Sequence, residues 1–194
     1  FTINSIYSDR GGNLFDPYNG IKDLDKGYIK FIGDTDKRLK EDYLRILRYI
    51  RFFLDYSKNP HEDEIIKKIK FNIGGVSKLS KERLLDELKK ITKFKTLEKL
   101  SKDKISLDLI MTIFPELKNI KIFSKLTLNQ KLLLKDADFI FFLSLMIIDE
   151  TDNVDYFLFK YKVSKKNYKR IKLIDTFYKD KTNIKKLSET YLNK

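Results

Sequence analysis

The chain has 194 residues, no cysteine and a formal net charge of +13. That length is enough for one domain or two small ones with a real core. The absence of cysteine rules out disulfides and cysteine-ligated zinc, and a lone histidine, His61, leaves little scope for a His-based metal site or triad.

In chain order, residues 1–8 read as a short helix, and residues 13–16 as a strand running into a turn at Pro17, Asn19 and Gly20. Residues 21–26 fit one helical turn, and the alternation over residues 28–32 suits a strand. From Asp34 or Thr35, either one a good N-cap, the pattern is helical almost to the end, and Asn59 with Pro60 closes the first long helix.

Within that helix lies the most informative stretch, EDYLRILRYIRF, residues 41–52. Asp42, Arg45, Arg48 and Arg51 recur every three residues, so at about 100° per residue they form one slowly drifting stripe. Tyr43, Ile46, Leu47, Ile50, Phe53 and Leu54 fall on the other side, which makes the helix amphipathic. A carboxylate only accepts hydrogen bonds and a guanidinium only donates them. Asp42 beside Arg45 therefore matches the pairing edges of cytosine and adenine, which carry an amino donor next to a ring-nitrogen acceptor. Guanine and uracil present the inverse pattern. Arg48 and Arg51 have the chemistry to hold phosphates. The alternative at this point is i,i+3 ion pairing on a solvated helix face.

Downstream, His61 precedes Glu62, Asp63 and Glu64, acids of the kind a first helical turn favours, so the cluster reads as the start of a helix over residues 61–70. Gly74 and Gly75 end it. Ser80 caps a helix over residues 81–91 whose Leu84, Leu85, Leu88 and Ile91 share a face. Its Arg83 and Glu87 stand at i,i+4, the spacing of an ordinary surface pair. Further helices are predicted over residues 94–101, 105–114, 116–123, 127–134, 136–149, 152–161, 164–179 and 182–192, with Pro115 forcing a stop or restart. The run FIFFLSLMII, residues 139–148, suits a helix buried on most sides and falls short of the roughly 18 apolar residues of a membrane span. No signal peptide is visible, which leaves the cytoplasm as the default location and no membrane partner.

Residues 1–60 hold 11 Lys and Arg against 9 Asp and Glu, a net +2, whereas residues 61–194 hold 30 against 19, a net +11. The excess lies where a polyanion could be gripped. Its densest segment, residues 160–172, interleaves Lys160, Lys162, Lys165, Lys166, Lys169, Arg170 and Lys172 with Tyr161 and Tyr168. That composition fits an RNA backbone contact with an aromatic for stacking, or equally a solvated helix face in a Lys-rich chain.

Four segments at the front, FTINSIYSD, LFDPYNGIKDL, GYIKFIGD and RLKEDYLRILRYIRF, together resemble the tRNA nucleotidyltransferase and bacterial poly(A) polymerase family, class II. That family carries RRDFTINAL, DPxxGxxDL, IRxIGDPxxRFxED and LRxLRxxRF segments in the same order and spacing. The resemblance covers about a quarter of the chain and implies the following. Asp42 and Arg45 would be the protein template that reads CTP or ATP, with Glu41 beside them in support. Arg48 and Arg51 would be further nucleotide contacts, and Asn4 would lie near ribose and triphosphate, although a helix-start role bonded to nearby backbone serves Asn4 as well. Arg83 and Glu87 resemble a charged pair that braces the nucleotide site. The resemblance fades after residue 93, so Lys165, Lys166, Lys169 and Arg170 are candidate tRNA contacts on their charge alone.

The chain begins at Phe1 where the family has RRDF, and it starts without Met. Upstream, the family has a Gly-Ser loop and an Asp-x-Asp pair that hold Mg2+ for phosphoryl transfer. The expectation is a C-terminal piece that is inactive alone, with the metals on a head domain of the same protein and no catalytic or metal-ligating residue of its own. Its expected fold is mainly α: a small α/β remnant of the head over residues 1–33, a neck-like nucleotide-selecting region over residues 34–93, and an RNA-binding body and tail over residues 94–194, the helices forming an open, curved array. The implied partners are tRNA, CTP, ATP and the head. A poly(A) polymerase of the same family and a non-catalytic RNA-binding module are the alternatives.

Overall fold

The computed structural model describes the backbone of residues 1–192 and the side chains of residues 1–180. It is mainly helical, with one two-stranded sheet among the described residues. Strands β1 (Tyr7–Ser8) and β2 (Leu14–Phe15) pair antiparallel, Tyr7 opposite Phe15 and Ser8 opposite Leu14. The Asp9 carboxylate closes this hairpin by accepting from the backbone and side-chain nitrogens of Asn13, each at 2.8 Å.

Two expectations for the front of the chain fail. In place of a helix over residues 1–8 there is a single 3-10 turn, Thr2–Asn4, before β1. The strand expected over residues 28–32 does not form. The Thr2 N–H donates to the Lys30 carbonyl at 3.1 Å, but the pairing is not repeated as a ladder requires. Helix α1 (Gly20–Lys26) starts where the Asp16 carboxylate accepts from the Gly20 and Ile21 amides at 2.7 and 2.9 Å, which satisfies donors that a helix start leaves free. It ends at Gly27, whose φ of 69° puts it in the left-handed region. A Cβ there would also stand 2.5 Å from the Lys58 nitrogen, so the approach of residues 57–59 to this turn requires glycine.

The long helix expected after Asp34 is two helices. Asp34 caps α2 (Thr35–Glu41), accepting from the Lys37 amide at 2.8 Å. The chain then breaks at Asp42, in extended backbone with φ −157° and ψ 103°, and α3 (Leu44–Tyr56) begins. The Asp42 carboxylate accepts from the Leu44 amide at 3.1 Å, a short-range bond that competes with helix continuation. The break lets α2 fold against α4 (Asp63–Asn72), where the Asn72 amide donates to Asp36 at 2.8 Å. It also seats the Tyr43 ring on Gly75, where any Cβ would come within 2.2 Å of that ring.

From here the order follows the pattern closely. A 3-10 segment, Ile73–Lys78, leads to α5 (Lys81–Ile91), capped by Ser80. Then come α6 (Phe94–Lys102), α7 (Lys104–Ile113), a 3-10 segment Ile120–Ser124 where a helix over residues 116–123 was expected, α8 (Leu128–Leu134), α9 (Phe139–Ile147) and α10 (Asn153–Lys160). The last two expected helices are one, α11 (Lys165–Leu192). A single apolar core runs from Ile29 to Ile171, with Ile46, Leu47 and Ile50 of α3 fully buried in it. Helix α3 packs on both α5 and α6. Among the described residues no helix is long and apolar enough to cross a membrane.

Candidate functional site

The apolar face of α3 is fixed in the core, so its other flank is fixed in direction. Arg45, Arg48 and Arg51 lie on that flank, each partly buried. Because the helix begins at Leu44, Asp42 is not on it: the acid stands in the break just ahead of the three arginines, which corrects the single-helix geometry read from the sequence.

Asp42, Arg45 and Arg51 each have their own partner. Asp42 is gripped by Arg83, one guanidinium nitrogen donating to both carboxylate oxygens at 3.0 and 2.9 Å. Arg45 donates to Glu41 at 2.6 Å and to the Arg38 carbonyl, while Arg38 itself pairs with Glu41 at 2.7 Å. The hydrogen bond from Arg45 holds the Glu41 carboxyl below its usual range. Asp42 and Arg45 therefore do not pair with each other. Each is oriented by a neighbour of opposite charge, and each keeps unused capacity, since a carboxylate offers about four acceptor sites and a guanidinium five donors.

Further along, the Arg51 Nε donates at 2.6 Å to Glu87, which is fully buried and also accepts from Lys90 at 3.0 Å. The Arg51 guanidinium lies 4.3 Å from the Phe52 ring centroid. Arg83 and Glu87 are thus not an i,i+4 surface pair. Both reach across from α5 to α3, Arg83 to the acid before the helix and Glu87 to the arginine in its third turn.

Arg48 differs from its neighbours because its Nε is buried and has no hydrogen-bond partner among the described residues. The Thr2 hydroxyl is in the same condition. Arg38 and Arg45 share Glu41 just ahead of Arg48 on this flank. Arg38 and Thr2 were not singled out from the sequence. Arg38 had a signal, as the arginine four residues ahead of Asp42 in RLKED, whereas nothing in the sequence marks Thr2. Asn4 is exposed at the end of the first 3-10 turn.

The basic segment over residues 160–172 is only partly available. Lys160 pairs with the buried Glu116 at 2.6 Å, Lys172 with Asp155 at 3.0 Å, and Arg170 with Asp138. Tyr161 is buried with its hydroxyl donating to Glu116, so it cannot stack on a base; burial, reinforced by that carboxylate, pushes its phenol up. Lys165, Lys166 and Lys169 are exposed and make no ion pair among the described residues, and Tyr168 is exposed beside them. Of these only Lys166 lines the cleft of about 550 Å³ between α5, α9 and the start of α11, which Glu82, Asp86 and Asp138 also line.

His61 is not a helix-start residue. Helix α4 begins after Glu62, with Asp63 and Glu64 in its first turn, and the His61 side chain is buried against α3 and α7. Among the described residues no group of three His, Asp or Glu side chains could hold a metal ion.

Comparison with known proteins finds CCA-adding enzymes among the relatives of this chain. Over 92 residues, 46% of this chain, it is 44% identical to the human CCA tRNA nucleotidyltransferase 1, mitochondrial, covering 21% of that protein. Over 93 residues, 48% of this chain, it is 41% identical to a CCA-adding enzyme of Staphylococcus haemolyticus, covering 23% of it. Over 126 residues, 62% of this chain, it is 32% identical to a CCA-adding enzyme of Actinobacillus succinogenes, covering 30% of it. No family model matches the chain. The chain spans between about a fifth and a third of the length of the curated relatives it matches.

Proposed function

We propose that this chain, homologous over about half its length to CCA-adding tRNA nucleotidyltransferases, is the part of such an enzyme that selects CTP and ATP and holds the RNA. The observation that supports this most is the joint state of Asp42 and Arg45, each clamped by its own counter-charge with its remaining hydrogen-bonding capacity free.

In this reading the exocyclic amino group of cytosine or adenine donates to Asp42, and a free guanidinium N–H of Arg45 donates to the adjacent ring nitrogen. Arg83 and Glu41 keep the two side chains from pairing with each other or turning away. Guanine and uracil would set acceptor against acceptor and donor against donor, a mismatch worth about 1–3 kcal/mol for a good bidentate contact. The triphosphate falls to Arg48, with its unpartnered Nε, together with Arg38 and Arg51. Asn4 and Thr2 in the first turn lie toward the ribose. Divalent ions, which supply charge neutralisation in phosphoryl transfer, would be held by a head domain of the same protein. The exposed Lys165, Lys166 and Lys169 neutralise RNA phosphates, and residues 94–194 serve as the RNA-holding portion.

The test is addition of labelled nucleotides by the full-length protein to tRNA ending before its CCA. The reading expects C, C and A in that order, with Arg45→Ala raising misincorporation of G or U, or abolishing addition, while tRNA affinity stays nearly intact. Addition of A alone would assign an A-adding or poly(A) activity. A large loss of tRNA binding with unaltered nucleotide choice would refute the template role of Arg45.

A further inference from the structure

Tyr49, His61 and Asp103 come from three different parts of the chain and meet in one hydrogen-bonded line, buried at Tyr49 and His61 and partly open at Asp103. The Tyr49 hydroxyl lies 3.0 Å from His61 Nδ1, and His61 Nε2 lies 2.9 Å from an Asp103 carboxylate oxygen and 3.2 Å from the Ser106 hydroxyl. The imidazole stacks on Phe53 of α3, ring centroids 3.4 Å apart and 13° from parallel. Its side chain is 2% exposed and Tyr49 is 1% exposed.

The donors and acceptors fix the tautomer. A carboxylate can only accept, so Nε2 carries a proton, and in the neutral ring Nδ1 accepts from the Tyr49 hydroxyl. The same Asp103 oxygen accepts from the Ser106 amide at 2.8 Å as the cap of α7. Partial burial acts to raise the Asp103 carboxyl, but the bonds from His61 and Ser106 outweigh it and hold it at about 2, so it stays a charged acceptor. His61 thus links α3 to the N-terminus of α7 through a continuous hydrogen-bonded relay.

Tyr49 directly follows Arg48 and stands two residues before Arg51 on α3. Close packing of Ile46, Leu47 and Ile50 fixes which face of α3 points inward and leaves only a small roll about the axis. A specific hydrogen bond fixes the azimuth. With side chains reaching about 5–6 Å from the axis, a roll of about 10° displaces a guanidinium by about 1 Å, enough to cost about 100-fold where geometry matters.

We infer that His61 is a positioning residue: its relay from Tyr49 to Asp103 sets the roll of α3 and so places Arg48 and Arg51 for a nucleotide triphosphate. The role of the arginines rests on the function proposed above, whereas the roll of α3 does not, and the test separates the two. His61→Ala would open a cavity and could unfold the region, so the variants are Tyr49→Phe and His61→Gln. Phe keeps the ring and loses only the hydroxyl. Gln can place an amide nitrogen near the position of Nε2 and keep the link to Asp103, while the link to Tyr49 is lost.

Arginine-selective 15N labelling of the full-length protein reads the Nε–H resonances of Arg48 and Arg51 directly, and steady-state addition to tRNA reads the nucleotide KM. Both variants should move the two resonances and raise the KM for CTP and ATP about tenfold, with kcat and tRNA affinity nearly unchanged. The double variant should be no worse than either single one, because the same link is cut twice. Unmoved arginine resonances in both variants would overturn the relay as a positioning device, whatever the kinetics. Moved resonances with an unchanged nucleotide KM would overturn its service to the nucleotide. A full-length protein that adds no nucleotide would refute the proposed function, and the resonances would still judge the relay.

Discussion

Replacement of Glu87 by alanine isolates the α5 to α3 brace in a single number. The carboxylate is fully buried, takes the Arg51 Nε at 2.6 Å and a second contact from Lys90 at 3.0 Å. Without it, Arg51 remains 17% exposed with its charge uncompensated. Removing one partner of a buried pair costs about 3–5 kcal/mol, and the partial access of Arg51 to water places this case near 3 kcal/mol. For a chain of this size each kcal/mol moves the midpoint by about 2–4 °C, so the loss should be about 6–12 °C. The assay is thermal unfolding followed by circular dichroism, run on Glu87→Ala, Arg51→Leu and the double variant Glu87→Leu with Arg51→Leu. The double variant removes both charges and should recover most of the loss. Arg83→Ala is the control, since its bond to Asp42 is 48% and 27% exposed at the two ends and such pairs contribute at most about 1 kcal/mol. A midpoint for Glu87→Ala within about 2 °C of the parent, or a double variant as unstable as the sum of the singles, would refute the brace.

Gly75→Ala should lower stability by about 1–3 kcal/mol, because the new Cβ would meet the Tyr43 ring at 2.2 Å, and the same denaturation series reads it. Asp103 makes stability acid-sensitive with a defined sign: its folded-state value near 2 lies below its ordinary one, so its contribution is complete above about pH 4 and disappears as pH falls toward 2. Urea unfolding at pH 5 and pH 3 should show that loss, and Asp103→Ala, already destabilised at pH 5, should show less of it. Neutralising Lys165, Lys166 and Lys169 together should weaken RNA binding and reduce the slope of log affinity against log salt by about 2–3; an unchanged slope would leave that patch a solvated helix face.

The parts of this structure that could be read from the sequence are those set by neighbours in the chain. Ser80 ahead of KERLLDELKKI announces α5 because a hydroxyl cap and a repeating apolar face act within a few residues, and the buried α9 follows from a run of apolar side chains interrupted only by Ser144. The break at Asp42 was not legible, although a local bond to the Leu44 amide helps to make it. Period and propensity both favoured one continuous helix; what decides against it is Tyr43 settling on Gly75, more than thirty residues away. The same distinction governs the site. Residue chemistry nominated Asp42 and Arg45 as an acceptor beside a donor, but their orientation comes from Arg83 and Glu41, and the partner of Arg51 is Glu87 on another helix. His61 shows why such partners stay hidden: its acidic neighbours in sequence, Glu62 to Glu64, suggested a helix start, while the groups that use its two nitrogens lie 12 residues before it and 42 after. Helix α3 therefore owes its existence to its own sequence, and the aim of its arginine flank to residues that reach it only in the folded chain.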